Sequence, residues 1–550
     1  MKRVFLIALS LLMFWQSQSQ NNSSSIADDT PFSRPKLVVG IVVDQMRYDY
    51  LTRFWHRYGD DGFKRMIDEG YNFKNNHYNY VPTYTGPGHA SVFTGTTPAN
   101  HGIISNDWYS KAEGKMVYCS SDPNVIPVGT TSSAGKMSPM RMKTTTVADQ
   151  NRLHTQFKGK TIGIAIKDRG AIMPAGHSAN AAYWFHGKNE GVFISSSFYM
   201  EKLPEWVQKF NASKKIDTYM KPWETLYDIS SYDESGADDN SYEGVFKGEK
   251  SPVFPHDLPK YAPFNGNYDI IKATPFGNSL TTDFALAAID GESLGADEVT
   301  DFLTLSFSST DYVGHQYGVN SKEVEDTYLR LDKDLERLFN YLDIKVGKDA
   351  YTVFLTADHG AVHVPGYLQS KRIPSGYVGG GMKQKLNKAL QDKYGKNDFI
   401  RNISNKQIFF DRAKLKLAKV EVDDVSAFVA SQLVDFPQVD KVFTSKQMRE
   451  TQYENGIAAL VQRGYNQKRS GDVLIVFDPA VISHSRTGST HGSGLRYDTH
   501  VPLLFFGKGI NRGSTTTYSA IEDIAPTIAA LIGTAFPNGA TGKVLSKVID

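Results

Sequence analysis

Cysteine is almost absent from this sequence: Cys119 is the only one among 550 residues, which excludes a disulfide bond within the chain. An excess of charge is lacking as well, because 61 Lys and Arg residues oppose 59 Asp and Glu residues and leave a formal net charge of +2. Without a long basic run, the composition gives no support to nucleic-acid binding. A chain of this length can bury a large core without disulfides, so the sequence predicts a globular protein.

Long apolar runs are also missing, apart from one at the N-terminus. Two basic residues precede the run Val4–Trp15, and a small-x-small pattern ends at Ser19. This order predicts a bacterial signal peptide at residues 1–19 and export to the periplasm or the medium. The run is too short to span a bilayer comfortably, so we expect no permanent membrane anchor; an uncleaved N-terminal anchor is the alternative. Residues 20–34 are polar and predict a flexible mature N-terminus.

Several short apolar runs have the length and composition of buried strands. They are Leu37–Val43, Thr161–Ile166, Phe302–Phe307, Thr352–Leu355, Val473–Phe477 and Val501–Phe506. Helical patterns lie between several of them, and the clearest has apolar residues spaced by four and three from Val324 to Leu342. Strands that alternate with helices predict the α/β class, as an α/β/α sandwich around a mostly parallel sheet.

We predict that residues 35–550 form one domain with two insertions. Residues 228–266 are rich in Asp, Ser, Gly, Asn and Pro and show little periodicity, which predicts an irregular insertion. Residues 380–470 contain helical stretches and predict a cap or a small subdomain. No internal repeat is visible.

Acidic and imidazole side chains follow three of the predicted strands. Asp44 comes directly after the first strand, Asp311 follows the strand that begins at Phe302, and the pair Asp358-His359 follows the strand that begins at Thr352. In an open parallel sheet, ligands bind at the carboxyl ends of the strands. Each Asp alone is as often a helix cap, but three such residues together favour a shared site.

The spacing of these residues suits metal binding. Asp311 and His315 stand four residues apart and are able to face one ion, whereas Asp358 and His359 are adjacent. His491 lies in a glycine-rich loop. Mixed Asp and His ligands favour Zn²⁺ over Mg²⁺ or Ca²⁺, which prefer oxygen ligands alone.

A candidate nucleophile, Thr85, lies in a segment that predicts a tight turn followed by a helix. Gly86 and Gly88 allow the turn, Pro87 suits a first helical position, and the helix is expected from Ala90 onward. A hydroxyl at a helix N-terminus lies where backbone N–H groups and the helix dipole favour anions such as phosphate. Threonine is a poor nucleophile until a bound dication holds it as an alkoxide. The alternative is that Thr85 only caps the helix.

A series of motifs occurs in a specific order along the chain. They are the strand end at Asp44, the Thr85 segment, Gly95–Ile103, the Asp311/His315 pair, Thr356–Gly360, Thr490–Gly492 and Asp523–Thr527. Each motif alone is a weak signal, whereas their order and spacing together are specific. In these motifs, over nearly all of the mature chain, the sequence resembles the alkaline phosphatase superfamily and, within it, the PafA-type secreted phosphatases.

This resemblance implies two zinc sites. Asp311, His315 and His491 would hold one Zn²⁺, and the other would be bound by Asp44, Asp358, His359 and the Thr85 oxygen. The Thr85 alkoxide would attack phosphorus in line. The first ion would stabilise the leaving oxygen and then deliver hydroxide to the phosphothreonine. The chain departs from enterobacterial-type alkaline phosphatases, because its nucleophile is Thr and Gly86 replaces an Arg; that group's magnesium site is therefore not carried over.

The resemblance also implies a phosphate-binding role for Asn106, Lys167 and Arg169. If the stretch after Ile166 stays extended, Lys167 and Arg169 face the same way and Asp168 faces the other. Two cations aimed at the phosphoryl group favour a monoester dianion over a diester, which carries one negative charge. The alternative is that both are ordinary surface charges.

The expected substrates are therefore small phosphate monoesters, and the protein is expected to be a monomer. One rival is a phosphodiesterase or nucleotide pyrophosphatase of the same superfamily, which also uses Thr and Asn; the cations Lys167 and Arg169 argue against it. A sulfatase is disfavoured because Thr85 cannot supply the aldehyde that those enzymes form from Cys or Ser. A secreted binding protein that lost catalysis is disfavoured because every ligand position is filled.

Overall fold

The computed structural model describes residues 33–549. The predicted signal peptide at 1–19 and nearly all of the segment 20–34 lie outside the described residues. A central sheet of ten strands organises the molecule. In chain order its strands are β1 (Leu37–Val43), β2 (Tyr71–Phe73), β3 (Pro127–Val128), β4 (Thr161–Ala165), β5 (Ala181–His186), β6 (Val192–Ser196), β7 (Asp301–Phe307), β8 (Tyr351–Thr356), β9 (Leu503–Gly507) and β10 (Gly513–Thr515).

The middle of the sheet is parallel and its edges are mixed. Across the sheet the strands run in the order β10-β2-β9-β8-β1-β7-β4-β5-β6-β3. β1 pairs in parallel with β7 and β8, and β4 continues the parallel set between β7 and β5. β9 is antiparallel to β8, and β6 is antiparallel to β5. The predicted α/β fold around a mostly parallel sheet is confirmed.

The three central strands are buried at every position, which explains their apolar sequences. None of the residues of β1, β7 or β8 is exposed, as expected for parallel strands covered on both faces. Their register aligns Val43 with Phe307 and Val42 with Thr356. The carboxyl ends of these strands therefore meet at one edge, where the candidate residues lie.

Helices pack around this sheet. Those of at least eight residues are Thr85–Thr94, Val147–His154, Asp168–Ala175, Glu205–Ala212, Phe276–Glu292, Ser309–Tyr317, Lys322–Leu342, Met382–Tyr394, Val422–Leu433, Gly456–Gly464 and Ile524–Leu531. Shorter α-helices are Tyr50–Arg53, Phe63–Asp68, Pro98–His101, Leu258–Tyr261, Pro365–Ser370, Arg412–Ala418, Ser445–Glu450 and Arg496–Thr499. None of the helices within residues 33–549 combines the length and apolarity needed to cross a membrane.

A second, four-stranded antiparallel sheet lies outside the central one. Its strands are Ile400–Ser404, Gln407–Phe410, Val439–Thr444 and Val473–Phe477. Val473–Phe477 is thus a strand, as predicted, but not of the central sheet. The segment 380–470 contains three of these strands besides its helices, and the sheet has a hydrophobic core of its own around Leu390 and Val425. The sequence pattern indicated the helices here and missed the strands.

The remaining strands form three short pairs. These are Asn76–His77 with Ser519–Ala520, Asp107–Ser110 with Lys115–Tyr118, and Gly376–Tyr377 with Val481–Ile482. The segment 228–266 contains the helix Leu258–Tyr261, short 3-10 turns and otherwise irregular backbone.

Candidate active site

Three strand ends bring the predicted ligand residues together. Asp44 follows β1 directly, and its backbone N–H donates to the carbonyl of Phe307 at the end of β7 (3.1 Å). Asp311 lies on the helix Ser309–Tyr317 that follows β7, and Asp358 comes two residues after β8. All three aspartates are buried. The sheet register therefore explains why residues distant in sequence share one site.

One group of side chains, which we call the inner group, consists of Asp44, Asp358 and His359. His359 Nε2 lies 3.4 Å from Asp358 Oδ2 and 3.6 Å from Asp44 Oδ1. Within the described residues, none of these three atoms has a hydrogen-bond partner, although all three side chains are fully buried. Buried polar atoms are costly without partners. Two carboxylate oxygens and one imidazole nitrogen that converge in this way fit the ligand set of a divalent metal.

The second group, which we call the outer group, consists of Asp311, His315 and His491. Asp311 Oδ1 lies 3.2 Å from His315 Nε2 and 3.7 Å from His491 Nε2. These three side chains also offer ligand atoms that are close enough to share one ion. The His315 side chain is 30% exposed, so this group is open to solvent on one side.

The histidines of both groups are oriented by the backbone. Nδ1 of His315 contacts the carbonyl of Ser489 (2.7 Å), and Nδ1 of His491 contacts that of Thr83 (2.7 Å). Nδ1 of His359 contacts the carbonyl of Gly360 (3.0 Å). Because a carbonyl only accepts, each Nδ1 carries the proton and each Nε2 presents a lone pair to its group. Metal-binding histidines are held in this manner.

The pKa values reflect crowded, buried charge. Burial, and then the neighbouring Asp358 carboxylate, raise the pKa of Asp44 well above its ordinary value. Burial alone would raise the pKa of Asp311, but His315 and Lys167 hold it well below its ordinary value. Burial lowers the pKa of His359. A neutral imidazole is the form that binds a metal, and a bound cation would stabilise the carboxylates that burial disfavours.

Thr85 occupies the first position of the helix Thr85–Thr94, earlier than the predicted start at Ala90. The N-cap is Tyr84, whose side chain makes no capping hydrogen bond, so Thr85 is the first helical residue and not the cap. The alternative that Thr85 caps the helix is therefore wrong. A Cβ on Gly88 would lie 2.5 Å from the backbone oxygen of Asp358. Glycine thus lets this helix N-terminus approach the inner group closely, with Thr85 at its tip.

The predicted phosphate-binding residues lie on two sides of Thr85. Asn106 Oδ1 accepts from the backbone N–H of Gly86 (2.7 Å), which holds the amide next to the nucleophile. Arg169 Nη2 lies 3.5 Å from Thr85 Oγ1, and its Nη1 donates to the Tyr118 hydroxyl (3.0 Å). These contacts place an amide and a guanidinium around the hydroxyl.

Lys167 lies between the two groups. Its Nζ donates to Asp44 Oδ2 (2.7 Å) and also to Asp311 Oδ2. The expectation that the stretch stays extended is wrong, because the helix Asp168–Ala175 begins here and Lys167 is its N-cap. Lys167 is buried rather than an ordinary surface charge.

Two further residues contact the site and escaped the sequence analysis. The Gln45 backbone N–H donates to Asp358 Oδ1 (3.0 Å), and its side-chain amide donates to Asp311 Oδ1 (2.6 Å), so Gln45 joins the two groups. His89 Nδ1 contacts the Thr85 carbonyl (2.9 Å) and lies 3.4 Å from Asp358 Oδ2. The only sequence signals were their positions, directly after Asp44 and one turn after Thr85.

Comparison with known proteins is consistent with this geometry. Residues 38–501 match the family described as type I phosphodiesterase / nucleotide pyrophosphatase. Alkaline phosphatase PafA of Elizabethkingia meningoseptica is 47% identical over 94% of this chain and 95% of its own. Alkaline phosphatase PhoV of Synechococcus elongatus is 44% identical over 100% of this chain and 99% of its own.

Solved structures agree with these matches. The crystal structure of wild-type PafA is similar with a TM-score of 0.91 and 47% identity, covering 94% of this chain and 99% of that one. A PafA variant has a threonine replaced by serine, and an asparagine, a lysine and an arginine each replaced by alanine. It has the same TM-score of 0.91, with 46% identity and the same coverage of both chains. The chain therefore belongs to the type I phosphodiesterase / nucleotide pyrophosphatase family and, within the alkaline phosphatase superfamily, to the PafA type of alkaline phosphatases.

Proposed function

We propose that this protein is an exported, two-zinc alkaline phosphatase that hydrolyses phosphate monoesters through a phosphothreonine at Thr85. The observation that carries the proposal is the convergence of unpartnered, buried ligand atoms of Asp44, Asp358 and His359 next to a threonine at a helix N-terminus. This arrangement supplies a metal site, a nucleophile and an anion-binding backbone at one place.

The inner group, together with the Thr85 oxygen, would hold one zinc ion, and the outer group would hold the other. Mixed carboxylate and imidazole ligands favour zinc over magnesium or calcium. When bound, the ions would supply positive charge that favours the Thr85 alkoxide and stabilises the leaving oxygen.

The chain's own residues define the remaining chemistry. Thr85 Oγ1 attacks phosphorus and forms an O–P bond, while the bond to the ester oxygen breaks and the alcohol leaves with a proton. Water then cleaves the phosphothreonine and returns the Thr85 hydroxyl and inorganic phosphate. The backbone N–H groups at the helix start, the Asn106 amide and the Arg169 guanidinium would hold the phosphoryl oxygens.

Preference for a monoester would come from Arg169, Asn106 and Lys167. A monoester dianion presents three terminal oxygens, whereas a diester presents two and carries one negative charge. The PafA variant replaces the same four residue types, in the same order, as Thr85, Asn106, Lys167 and Arg169, which supports assigning these residues to the site. The close contact of Lys167 with both groups supports a role that also includes balancing their carboxylates.

A substrate panel on one purified sample tests the proposal. Nitrophenyl phosphate should be turned over much faster than bis-nitrophenyl phosphate, and metal analysis should find two zinc ions per chain. Removal of zinc by a chelator should abolish activity, and added zinc should restore it. Preference for the diester would instead identify a phosphodiesterase, and bound zinc without turnover of any ester would identify a binding protein.

Export is the remaining part of the proposal. The basic start, the apolar run Val4–Trp15 and the pattern that ends at Ser19 support cleavage of residues 1–19. N-terminal sequencing of exported protein should start near residue 20, and light scattering of the same sample should report a monomer. Mature protein that retains Met1 would contradict the cleavage.

A further inference from the structure

A small cavity lies behind the helix that carries Asp311 and His315. It has a volume of about 10 Å³ and is lined by Asn240, Glu243, Tyr317, Asn320 and Ser321, among others. A space of this size holds one water-sized group. The cavity wall joins the irregular segment 228–266 to the end of the helix Ser309–Tyr317.

Glu243 is the unusual member of this wall. Glu243 is only 6% exposed. Within the described residues, neither of its carboxylate oxygens has a hydrogen-bond partner. An ionised carboxylate in such a place is strongly disfavoured unless a positive charge or a hydrogen-bond donor faces it. Glu243 therefore needs either a proton or a cation.

The charges around Glu243 disfavour its ionised form further. Burial, and then the carboxylates of Glu323 and Asp238, raise the pKa of Glu243 to about 10. His256 does not compensate Glu243, because its two nitrogens contact Glu249 Oε1 (2.9 Å) and Glu323 Oε1 (3.2 Å) instead.

The nearby lysine is also engaged elsewhere. Lys322 lowers the pKa of Glu243, but its Nζ donates to the carbonyl of Tyr232 (2.7 Å). Glu243 is thus a buried, unpartnered carboxylate in the cavity wall, and further acidic residues outside the wall lie near it.

We propose that this cavity binds one divalent cation, with Glu243 as its carboxylate ligand and further oxygen ligands from Asn240, Asn320 and Ser321. The polar residues of the wall carry amide, hydroxyl and carboxylate side chains, and the wall contains no histidine or cysteine. A flexible set of oxygen ligands of this kind suits calcium, whereas zinc prefers nitrogen and sulfur, and magnesium demands a near-ideal octahedron. The site is chemically distinct from the inner and outer groups.

The cation would act on the active site through one helix. Tyr317 lines the cavity and lies two residues after His315 on the helix Ser309–Tyr317. A bound ion would tie the irregular segment 228–266 to this helix and so hold the outer group in position. It would not contact substrate.

Terbium luminescence tests the site, because Tb³⁺ replaces Ca²⁺ and is excited through nearby aromatic rings. Tyr317 is in the cavity wall, and the Trp223 ring lies 6.0 Å from that of Tyr317. The titration is done on zinc-saturated, full-length mature protein so that the inner and outer groups are occupied. We expect a saturable signal with one Tb³⁺ per chain that Ca²⁺ reverses and equal Mg²⁺ does not.

Matched variants assign the signal to the cavity. Glu243→Gln keeps the shape but removes the charge, and should weaken Tb³⁺ binding at least about tenfold. Glu201→Gln, at an exposed glutamate, should leave it unchanged. The proposal is overturned if wild-type protein gives no saturable signal, or if Glu243→Gln retains full binding. If Glu243→Gln loses zinc or no longer has the circular dichroism spectrum of the wild type, Asn240→Ala replaces it in the titration. Asn240→Ala should then weaken Tb³⁺ binding, and unchanged binding would overturn the proposal.

Discussion

The inner and outer groups use the same ligand chemistry but differ in their access to solvent. In the inner group, the side chains of Asp44, Asp358 and His359 are 0% exposed. In the outer group, the side chain of His315 is 30% exposed and that of His491 is 5% exposed. The inner group is therefore closed to solvent, whereas the outer group is open to solvent at His315.

The ligand atoms of the two groups also differ in how many hydrogen bonds they already make. The inner group leaves three buried ligand atoms without hydrogen-bond partners in the described part of the chain. In the outer group, Asp311 Oδ1 already accepts from the Gln45 amide. Under the proposed function, the inner ion would meet ligand atoms that have no competing hydrogen bond from the described residues. The outer ion would share Asp311 Oδ1 with the Gln45 amide and would be open to solvent at His315.

The largest effect should come from removing the nucleophile without disturbing either group. Thr85→Ala should lower kcat by roughly a thousandfold or more, because the covalent step is lost. Zinc content should change little, since the other ligands remain. Thr85→Ser keeps a hydroxyl and should retain substantial activity. If Thr85→Ala stays within about tenfold of wild type, the nucleophile is elsewhere.

The second test asks whether Lys167, which lies between the two groups, and Arg169, which lies beside Thr85, act on substrate. Each charge-assisted contact to a transition-state oxygen contributes roughly 2–4 kcal/mol. The double variant Lys167→Ala, Arg169→Ala should therefore lower kcat/KM for nitrophenyl phosphate by about a hundredfold or more relative to bis-nitrophenyl phosphate. The ratio of the two specificity constants is the measurement.

A different outcome of that experiment would also be informative. Because Lys167 contacts Asp44 and Asp311, its loss affects the metal groups as well. If both activities and the zinc content fall together and the ratio stays constant, Lys167 and Arg169 are structural. The single variants then show which of the two is responsible.

The third test measures the difference in access directly. Excess chelator should remove zinc in two phases, with the outer ion leaving about tenfold or more faster, because solvent reaches His315 and not the inner ligands. Zinc release is followed with a chromogenic chelator at constant pH. His315→Ala should remove the fast phase and leave the slow one. A single phase for both ions would show that burial does not control their exchange.

Much of this site was predictable because its signals are local. Asp44, Asp311 and Asp358 follow apolar strands, and the parallel register brings strand ends together whatever the loops between them do. Gln45 and His89 carried no such signal, because their roles depend on partners far away in sequence: Gln45 contacts a carboxylate 313 residues away, and His89 contacts a hydroxyl 217 residues away.

The fold was predictable to a similar extent. The apolar run Val473–Phe477 has the composition of a central strand, but composition does not say which sheet a strand joins. Pairing with Val439–Thr444, which is partly exposed, and with the buried strand Gln407–Phe410 decides this, and neither strand was recognised. Likewise, the stretch after β4 was predicted to be extended, although a helix begins at Asp168, with Lys167 as its N-cap and Arg169 in its first turn.

The smallest effect should come from Gln45, which contacts one group with its backbone and the other with its side chain. The Gln45 amide donates to Asp311 Oδ1 (2.6 Å), while its backbone N–H donates to Asp358 Oδ1 (3.0 Å). Gln45→Met keeps the length of the side chain and the backbone contact and removes only the amide. Asp311 keeps its contact with Lys167, so the loss is partly compensated. Zinc affinity of the outer group should fall about tenfold, as is typical when a partner of a metal ligand is removed.

The affinity of the inner group should remain the same, because the backbone contact to Asp358 does not depend on the side chain. Competition with a chelator of known affinity measures both sites, and Gln369→Met at an exposed position is the control. Equal losses at both sites would mean that Gln45 acts through the fold of the strand end and not through its amide. No loss at either site would mean that Lys167 alone is sufficient to hold Asp311. The predicted difference in zinc affinity arises because Gln45 contacts the inner group with its backbone and the outer group with its side chain.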